Sequence, residues 1–248
     1  MSEKVLVNYI YDSCYSLAYG DYFLVFDYAE GLLDIPESRH IIFFATDKDK
    51  DAYTEDIFNL GKLRSLTYVL NKNIRDLKYQ DNIIYLNKDE IGMKDLKKLY
   101  KWDNVYLLGE DDKLSLHYKG DEVFVRAFSL DGIRLGFLIE VEDLIIFYGG
   151  SMDLEKVDDD RYLDLLDELR FENPDIIFLP ITDLNKKSLA YLDKIIDDAD
   201  SQILFPTKIG DREEISLEFK EFYRSNFTDI RAITKANERV EIDIDCDL

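Results

Sequence analysis

In the first half of the chain, apolar residues come in short β-branched and aromatic runs broken by turn residues, a pattern that predicts strands. Val5 to Tyr11, Tyr15 to Ala18 and Tyr22 to Phe26 are such runs, the last two joined by a Gly20-Asp21 turn. Ile41-Ile42-Phe43-Phe44-Ala45 is apolar at every position, as expected of a strand covered on both faces. Thr54 to Leu63 then reads as a helix capped by Thr54, with Ile57, Leu60 and Leu63 on one face. Short strands are expected at Leu66 to Leu70 and Ile83 to Leu86, and a brief helix at Lys94 to Tyr100. Five more strands follow: Val105 to Leu108, Lys113 to His117, Val123 to Phe128, Leu135 to Val141, and Leu144 to Phe147, which ends at Gly149-Gly150.

The second half alternates between the two periods. Asp160 to Arg170 places Tyr162, Leu165, Leu166 and Leu169 on one helical face, with Asp158-Asp159-Asp160 supplying a capped, dipole-compatible start. Strand Asp175 to Leu179 is expected to stop at Pro180. Helix Lys186 to Ala199 follows, then strand Gln202 to Phe205, stopped by Pro206. Helix Glu214 to Ser225 and short strands near Ile230 and at Val240 to Ile244 complete the pattern. Strand-rich segments interleaved with amphipathic helices predict an α/β protein, two sheets between helical layers, in one domain spanning 1–248.

Charge narrows the partners. With 31 Lys and Arg against 53 Asp and Glu, the net charge is −22. A phosphate-tracking surface needs a dense basic field, so nucleic acid is not an expected partner, and neither is an anionic membrane. A hydrophobic content of 46 % excludes a largely disordered acidic chain. Cys14 and Cys246 are the two cysteines, without metal-type spacing, which reads as reduced thiols and a cytoplasmic location. Met1-Ser2-Glu3-Lys4 does not open a signal peptide, and the apolar runs are too short to span a bilayer.

Four segments carry candidate chemistry: Tyr11-Asp12-Ser13-Cys14 at a hairpin turn with Asp27-Tyr28 at the hairpin's end, Thr46-Asp47-Lys48-Asp49-Lys50-Asp51-Ala52 after the buried run, Phe147-Tyr148-Gly149-Gly150-Ser151, and Phe205-Pro206-Thr207-Lys208. In order and spacing they resemble the metallo-β-lactamase superfamily, in particular its lactonase-like and phospholipase-D-like metal-dependent hydrolases, over nearly the whole chain. The resemblance implies a four-layer αββα sandwich. It also exposes what is missing. Against the superfamily's Thr-His-x-His-x-Asp-His motif, Asp47 and Asp49 replace the first two histidines, Ala52 replaces the last, and Asp51 keeps the aspartate. Ser151 stands in place of the metal-bridging aspartate, and Lys208 in place of a late histidine.

A dizinc site lowers the pKa of a bound water and needs imidazole ligands with an open coordination position. The chain has two histidines, His40 and His117, and neither falls in these segments, so zinc is not expected. The cofactor expectation is none, with Mg, Mn or Ca on Asp47, Asp49 and Asp51 as the alternative. That acidic run opens like a calcium loop, but Ala52 sits at the turn glycine and Phe58 at the closing glutamate. An ammonium at Lys208 would repel a divalent ion and is expected to pair with Asp47, Asp49 or Asp51, or to bind an anion. The candidate site residues are therefore Asp12, Asp47, Asp49, Asp51, Ser151 and Lys208. Ser151 lacks a nucleophile-elbow context, and Asp12 fits turn geometry. The expected function is a non-catalytic binding or regulatory scaffold for a small-molecule or protein ligand. The alternatives are a divergent hydrolase of a small ester, lactone or phosphodiester, using a hard metal or metal-free Asp/Lys chemistry, and a calcium-binding protein without catalysis.

Overall fold

The computed structural model describes residues 4–60, 65–74, 76–79, 82–85, 104–181, 185–223 and 228–244. In chain order the strands are β1 (Lys4–Tyr11), β2 (Cys14–Tyr19), β3 (Tyr22–Phe26), β4 (His40–Ala45), β5 (Leu66–Asn71), β6 (Asp76–Tyr79), β7 (Asn82–Tyr85), β8 (Val105–Leu108), β9 (Lys113–Tyr118), β10 (Asp121–Phe128), β11 (Gly136–Val141) and β12 (Leu144–Tyr148). Then come helix α1 (Asp159–Glu172), β13 (Ile176–Pro180), α2 (Lys186–Ala199), β14 (Ile203–Thr207), α3 (Glu213–Phe222), β15 (Asp229–Ile230) and β16 (Arg239–Asp243). Two seven-stranded mixed sheets result, ordered β16-β1-β2-β3-β4-β5-β8 and β15-β14-β13-β12-β11-β10-β9, with β6 and β7 a separate hairpin.

Alternation along the strands builds the layers. On β3 and β4, Leu24, Phe26, Ile42 and Phe44 point into the core between the sheets, where they meet Phe137, Ile139, Tyr148 and Phe178. The intervening Val25, Ile41, Phe43 and Ala45 form a second cluster on the outer face, under Ile57, Phe58 and Leu33. Both sides of β4 are thus covered, the reason its run is apolar throughout. The outer face of the second sheet is sealed by Leu165, Leu166 and Leu169 of α1, Leu192, Ile195 and Ile196 of α2, and Phe219 of α3. The Asp158 side chain caps α1 by accepting from Arg161 N, and Asn185 caps α2 in the same way.

Three expectations change. The segment after the acidic run is a short 3-10 helix, Glu55–Leu60, rather than an α-helix, and Leu63 lies outside the described residues, as do the helix expected at Lys94 to Tyr100, Leu86 and Cys246. Strand β13 ends at Pro180, as expected, but β14 runs one residue past Pro206. Pro180 is the last residue of β13, and Pro206 lies past Ile203 and Leu204, the residues that pair with β15, so a missing N–H costs little at either place. Strand β6 had no counterpart in the sequence reading, since Asp76 to Tyr79 is half polar. No helix among the described residues is long and apolar enough to cross a membrane.

Candidate functional site

Strands β3, β4, β5 and β8 run parallel, as do β12, β13, β14 and β15. Their carboxyl ends therefore release loops along one edge of the sandwich, the usual place for a site in α/β sheets. Asp27 follows β3, Thr46 and Asp47 follow β4, Ser151 follows β12 and Lys208 follows β14. The β1–β2 turn adds Asp12, which sits at φ 52.

The deepest layer centres on Asp27, which is fully buried. It too adopts a left-handed backbone, φ 45, which short polar side chains tolerate best. Its Oδ1 accepts from Thr46 N at 2.7 Å. Its Oδ2 lies 2.6 Å from Thr46 Oγ1, 3.0 Å from the Tyr148 hydroxyl and 3.5 Å from Ser151 Oγ. Ser151 Oγ is 3.0 Å from Thr46 Oγ1, and the Tyr148 hydroxyl donates to Ser13 O at 2.6 Å. Burial raises the Asp27 pKa to about 7 against the pull of these hydrogen bonds and of Lys208. Glycine is needed beside it: at Gly150, φ 48, a Cβ would meet Thr46 Cγ2 at 2.5 Å and Asp27 Oδ2 at 2.9 Å.

Above this lies a residue that the motifs do not contain. Arg134, in the loop between β10 and β11, places Nε 3.1 Å from Asp47 Oδ2 and Nη1 3.2 Å from both Asp131 Oδ2 and Asp153 Oδ2, with Nη2 3.8 Å from Asp49 Oδ2. Burial opposes the guanidinium's charge, but Asp131, Asp47, Asp153 and Asp49 outweigh it and raise its pKa. Asp47 is almost fully buried and also accepts from Lys48 N at 2.6 Å and Asn73 Nδ2 at 2.8 Å. Asn71 fastens the two loops together, donating from Nδ2 to Thr46 O and to Ile133 O, each at 2.7 Å. Asp131 shapes the arginine loop by accepting from Ile133 N and Arg134 N at 2.8 Å.

Lys208 does not form the expected ion pair with Asp47, Asp49 or Asp51. Arg134 has taken Asp47 and Asp49, and the Lys208 ammonium donates instead to Ser151 O at 3.0 Å and Met152 O at 3.4 Å. Burial, then the nearby Arg134 charge, lowers its pKa. Asp12 is half-buried. Burial raises its pKa, and the charge of Asp51 adds to that. Asp49 and Asp51 are exposed, and Phe58, at the closing position of a calcium loop, is buried against Tyr68. His40 is a core residue at the other end of β4, bonded to Thr67 Oγ1 at 3.0 Å, and His117 lies exposed on β9.

The structure thus brings Asp47 and Asp49 together on Arg134, and places Ser151 and Lys208 beside Asp27; Asp51 faces Asp12 instead. Among the described residues no group of three or more His, Cys, Asp or Glu side chains is placed to hold a metal ion. The donor set agrees, with a guanidinium on the carboxylates, an alanine and a serine for ligands, and an ammonium at the last position. The residues present do not fit a divalent cation. Arg134 was not legible in the sequence, and the only signal near it was an arginine in a short loop after Gly132.

No family model matches this chain, and no curated protein does. Solved structures do. Igni18, a metallo hydrolase from the hyperthermophilic archaeon Ignicoccus hospitalis, superposes with a TM-score of 0.66 at 11 % identity, over 97 % of this chain and 99 % of its own. YhfI from Bacillus subtilis, a metallo-β-lactamase fold protein, gives 0.59 at 13 % identity, over 97 % of this chain and all (100 %) of its own. The diiron β-hydroxylase CmlA from Streptomyces venezuelae gives 0.63 at 11 % identity, over 98 % of this chain and 55 % of its own.

Proposed function

Starting from a metallo-β-lactamase fold whose acidic loop is held by an arginine, we propose that this protein is a non-catalytic binding or regulatory scaffold for a small-molecule or protein ligand. The observation that carries this reading is the Arg134 hub. A guanidinium held by Asp47, Asp49, Asp131 and Asp153 supplies the positive charge that the acidic loop would otherwise seek in a metal. A fold of this kind hosts many functions, so the superpositions support the scaffold's architecture and leave its ligand to experiment.

The test is metal content by elemental analysis, then calorimetric titration with Zn²⁺, Mn²⁺, Mg²⁺ and Ca²⁺, beside assays on esters, lactones and phosphodiesters. No bound metal, no heat and no turnover is the expected result. Stoichiometric metal that disappears in an Asp47→Ala, Asp49→Ala variant, or turnover of any of these substrates, would overturn it. One observation favours a second reading, metal-free hydrolysis: the Lys208 ammonium is pushed below its ordinary range, the direction a general base needs. Turnover that persists in chelator and is lost in Lys208→Met would establish that reading.

A further inference from the structure

We propose that the Asp27 carboxyl holds a proton on the acid side of neutrality and donates it to Tyr148, so that this buried site, beside the Arg134 hub, binds a proton. The inference stands on counting hydrogens and is independent of whether the protein turns over a substrate.

Five close oxygen pairs meet here: Thr46 with Asp27, Thr46 with Ser151, Ser151 with Asp27, Tyr148 with Asp27, and Tyr148 with Ser13 O. Thr46, Ser151 and Tyr148 each bring one hydroxyl hydrogen. The Ser13 carbonyl can only accept, so at 2.6 Å the Tyr148 hydrogen goes to it. The 3.0 Å contact between Tyr148 and Asp27 Oδ2 then sets two lone-pair oxygens against each other, unless Asp27 supplies the hydrogen. With a neutral Asp27 four hydrogens serve the four shorter pairs, and only the 3.5 Å contact of Ser151 with Asp27 is left without one. Ser151 donates to Thr46, Thr46 to Asp27, Asp27 to Tyr148 and Tyr148 to Ser13 O, one directed chain in a dry interior.

The charges around Asp27 permit this. From β2 the Cys14 thiol faces it, and from β12 the Tyr148 phenol, and burial holds both in their protonated forms. From the end of β14 the Lys208 ammonium favours ionisation, but it is committed to two carbonyls. The Asp12 carboxylate of the β1–β2 turn lies beyond Cys14, and the Arg134 guanidinium is spent on four other carboxylates. The chain also joins the sheets, since Ser13, Asp27 and Thr46 belong to the first and Tyr148 and Ser151 to the second. Ionisation would cut it at the Asp27–Tyr148 link.

The sign follows from linkage. The folded pKa, about 7, lies above the ordinary carboxyl value of 3.8, so the folded state holds the extra proton between them. This contribution to stability is fully present below the lower value and is lost as pH rises through the higher. In urea denaturation with chelator present, the folding equilibrium constant is expected to fall about a hundredfold more between about pH 5 and pH 8 than in Asp27→Asn. Asparagine keeps the neutral acid's shape and donates to Tyr148, but cannot ionise. Parallel profiles for the two proteins would overturn the proposal. Should Asp27→Asn not fold, infrared spectroscopy of the unaltered protein at about pH 6 decides the matter. A neutral-carboxyl band that persists in Asp12→Asn supports the bound proton, and its absence overturns it. Metal binding or turnover would overturn the scaffold reading while leaving this pH difference in place, so the two failures are distinguishable.

Discussion

Arg134 Nε lies 3.1 Å from Asp47 Oδ2, an ion pair that joins the loop leaving β4 of one sheet to the loop entering β11 of the other. Asp47 is nearly inaccessible to water, with a side chain 4 % exposed, so the pair is shielded from solvent and its loss would leave a buried carboxylate without its cation.

Replacing Arg134 by Ala should therefore cost about 2–4 kcal/mol of folding stability, since it leaves a buried carboxylate unpaired. Arg134→Lys should recover only part of it, because an ammonium cannot reach Asp47, Asp131 and Asp153 in the geometry of the fork. Urea denaturation of the three proteins at one pH reads this directly. A loss below about 0.5 kcal/mol in Arg134→Ala would mean that the hub contributes no more than a surface pair.

Asn71 holds the same two loops by their backbones. Asn71→Leu keeps the branching and heavy-atom count but leaves Ile133 O without this donor, Asn73 N without this acceptor, and Thr46 O with only Leu135 N, which lies at 3.0 Å. A loss of about 1–3 kcal/mol is expected. Hydrogen exchange should show the effect concentrated in residues 129–135, and an evenly spread effect would count against the staple.

Gly150→Ala tests the closeness of the sheets at Asp27. The new methyl would collide with Thr46 and Tyr148 at a residue of φ 48, so about 2–4 kcal/mol should be lost. Thermal denaturation compares it with Gly120→Ala, whose φ is also positive but where a Cβ meets nothing within 4 Å. Equal losses at the two positions would mean backbone strain alone is at work.

Lys208 should give a pH dependence opposite to that of Asp27. Its folded pKa is lowered by burial and by Arg134, so the unfolded chain binds more protons in the window between that value and the ordinary lysine range. Its contribution therefore rises with pH through that window. Comparing Lys208→Met with the unaltered protein at about pH 8 and pH 10 should show the rise only in the latter. An identical rise in both would place its origin elsewhere.

Much of the fold was legible because the signals are local. Ile41 to Ala45 reads as a doubly covered strand, and the 3.6-residue period of Tyr162, Leu165, Leu166 and Leu169 reads as a helix packed on one face. The Glu55–Leu60 segment was read with an α-helical period, since apolar spacing at Ile57 and Leu60 does not separate a 3-10 helix from an α-helix.

The sequence by itself determined the layered α/β architecture and the absence of histidine from the candidate segments, because periodicity and residue identity suffice for both. Tertiary structure alone decided what those segments pair with. Arg134 and Asp47 are far apart in the chain, and only the packing of one sheet on the other puts a guanidinium among Asp47, Asp131 and Asp153, leaving Lys208 to the carbonyls of Ser151 and Met152. The sequence marks Asp27 at a hairpin's end within a candidate segment, but not as a site residue. Its protonation is a property of its surroundings, set by complete burial and by hydroxyls from both sheets, and desolvation is something no single position in a sequence encodes.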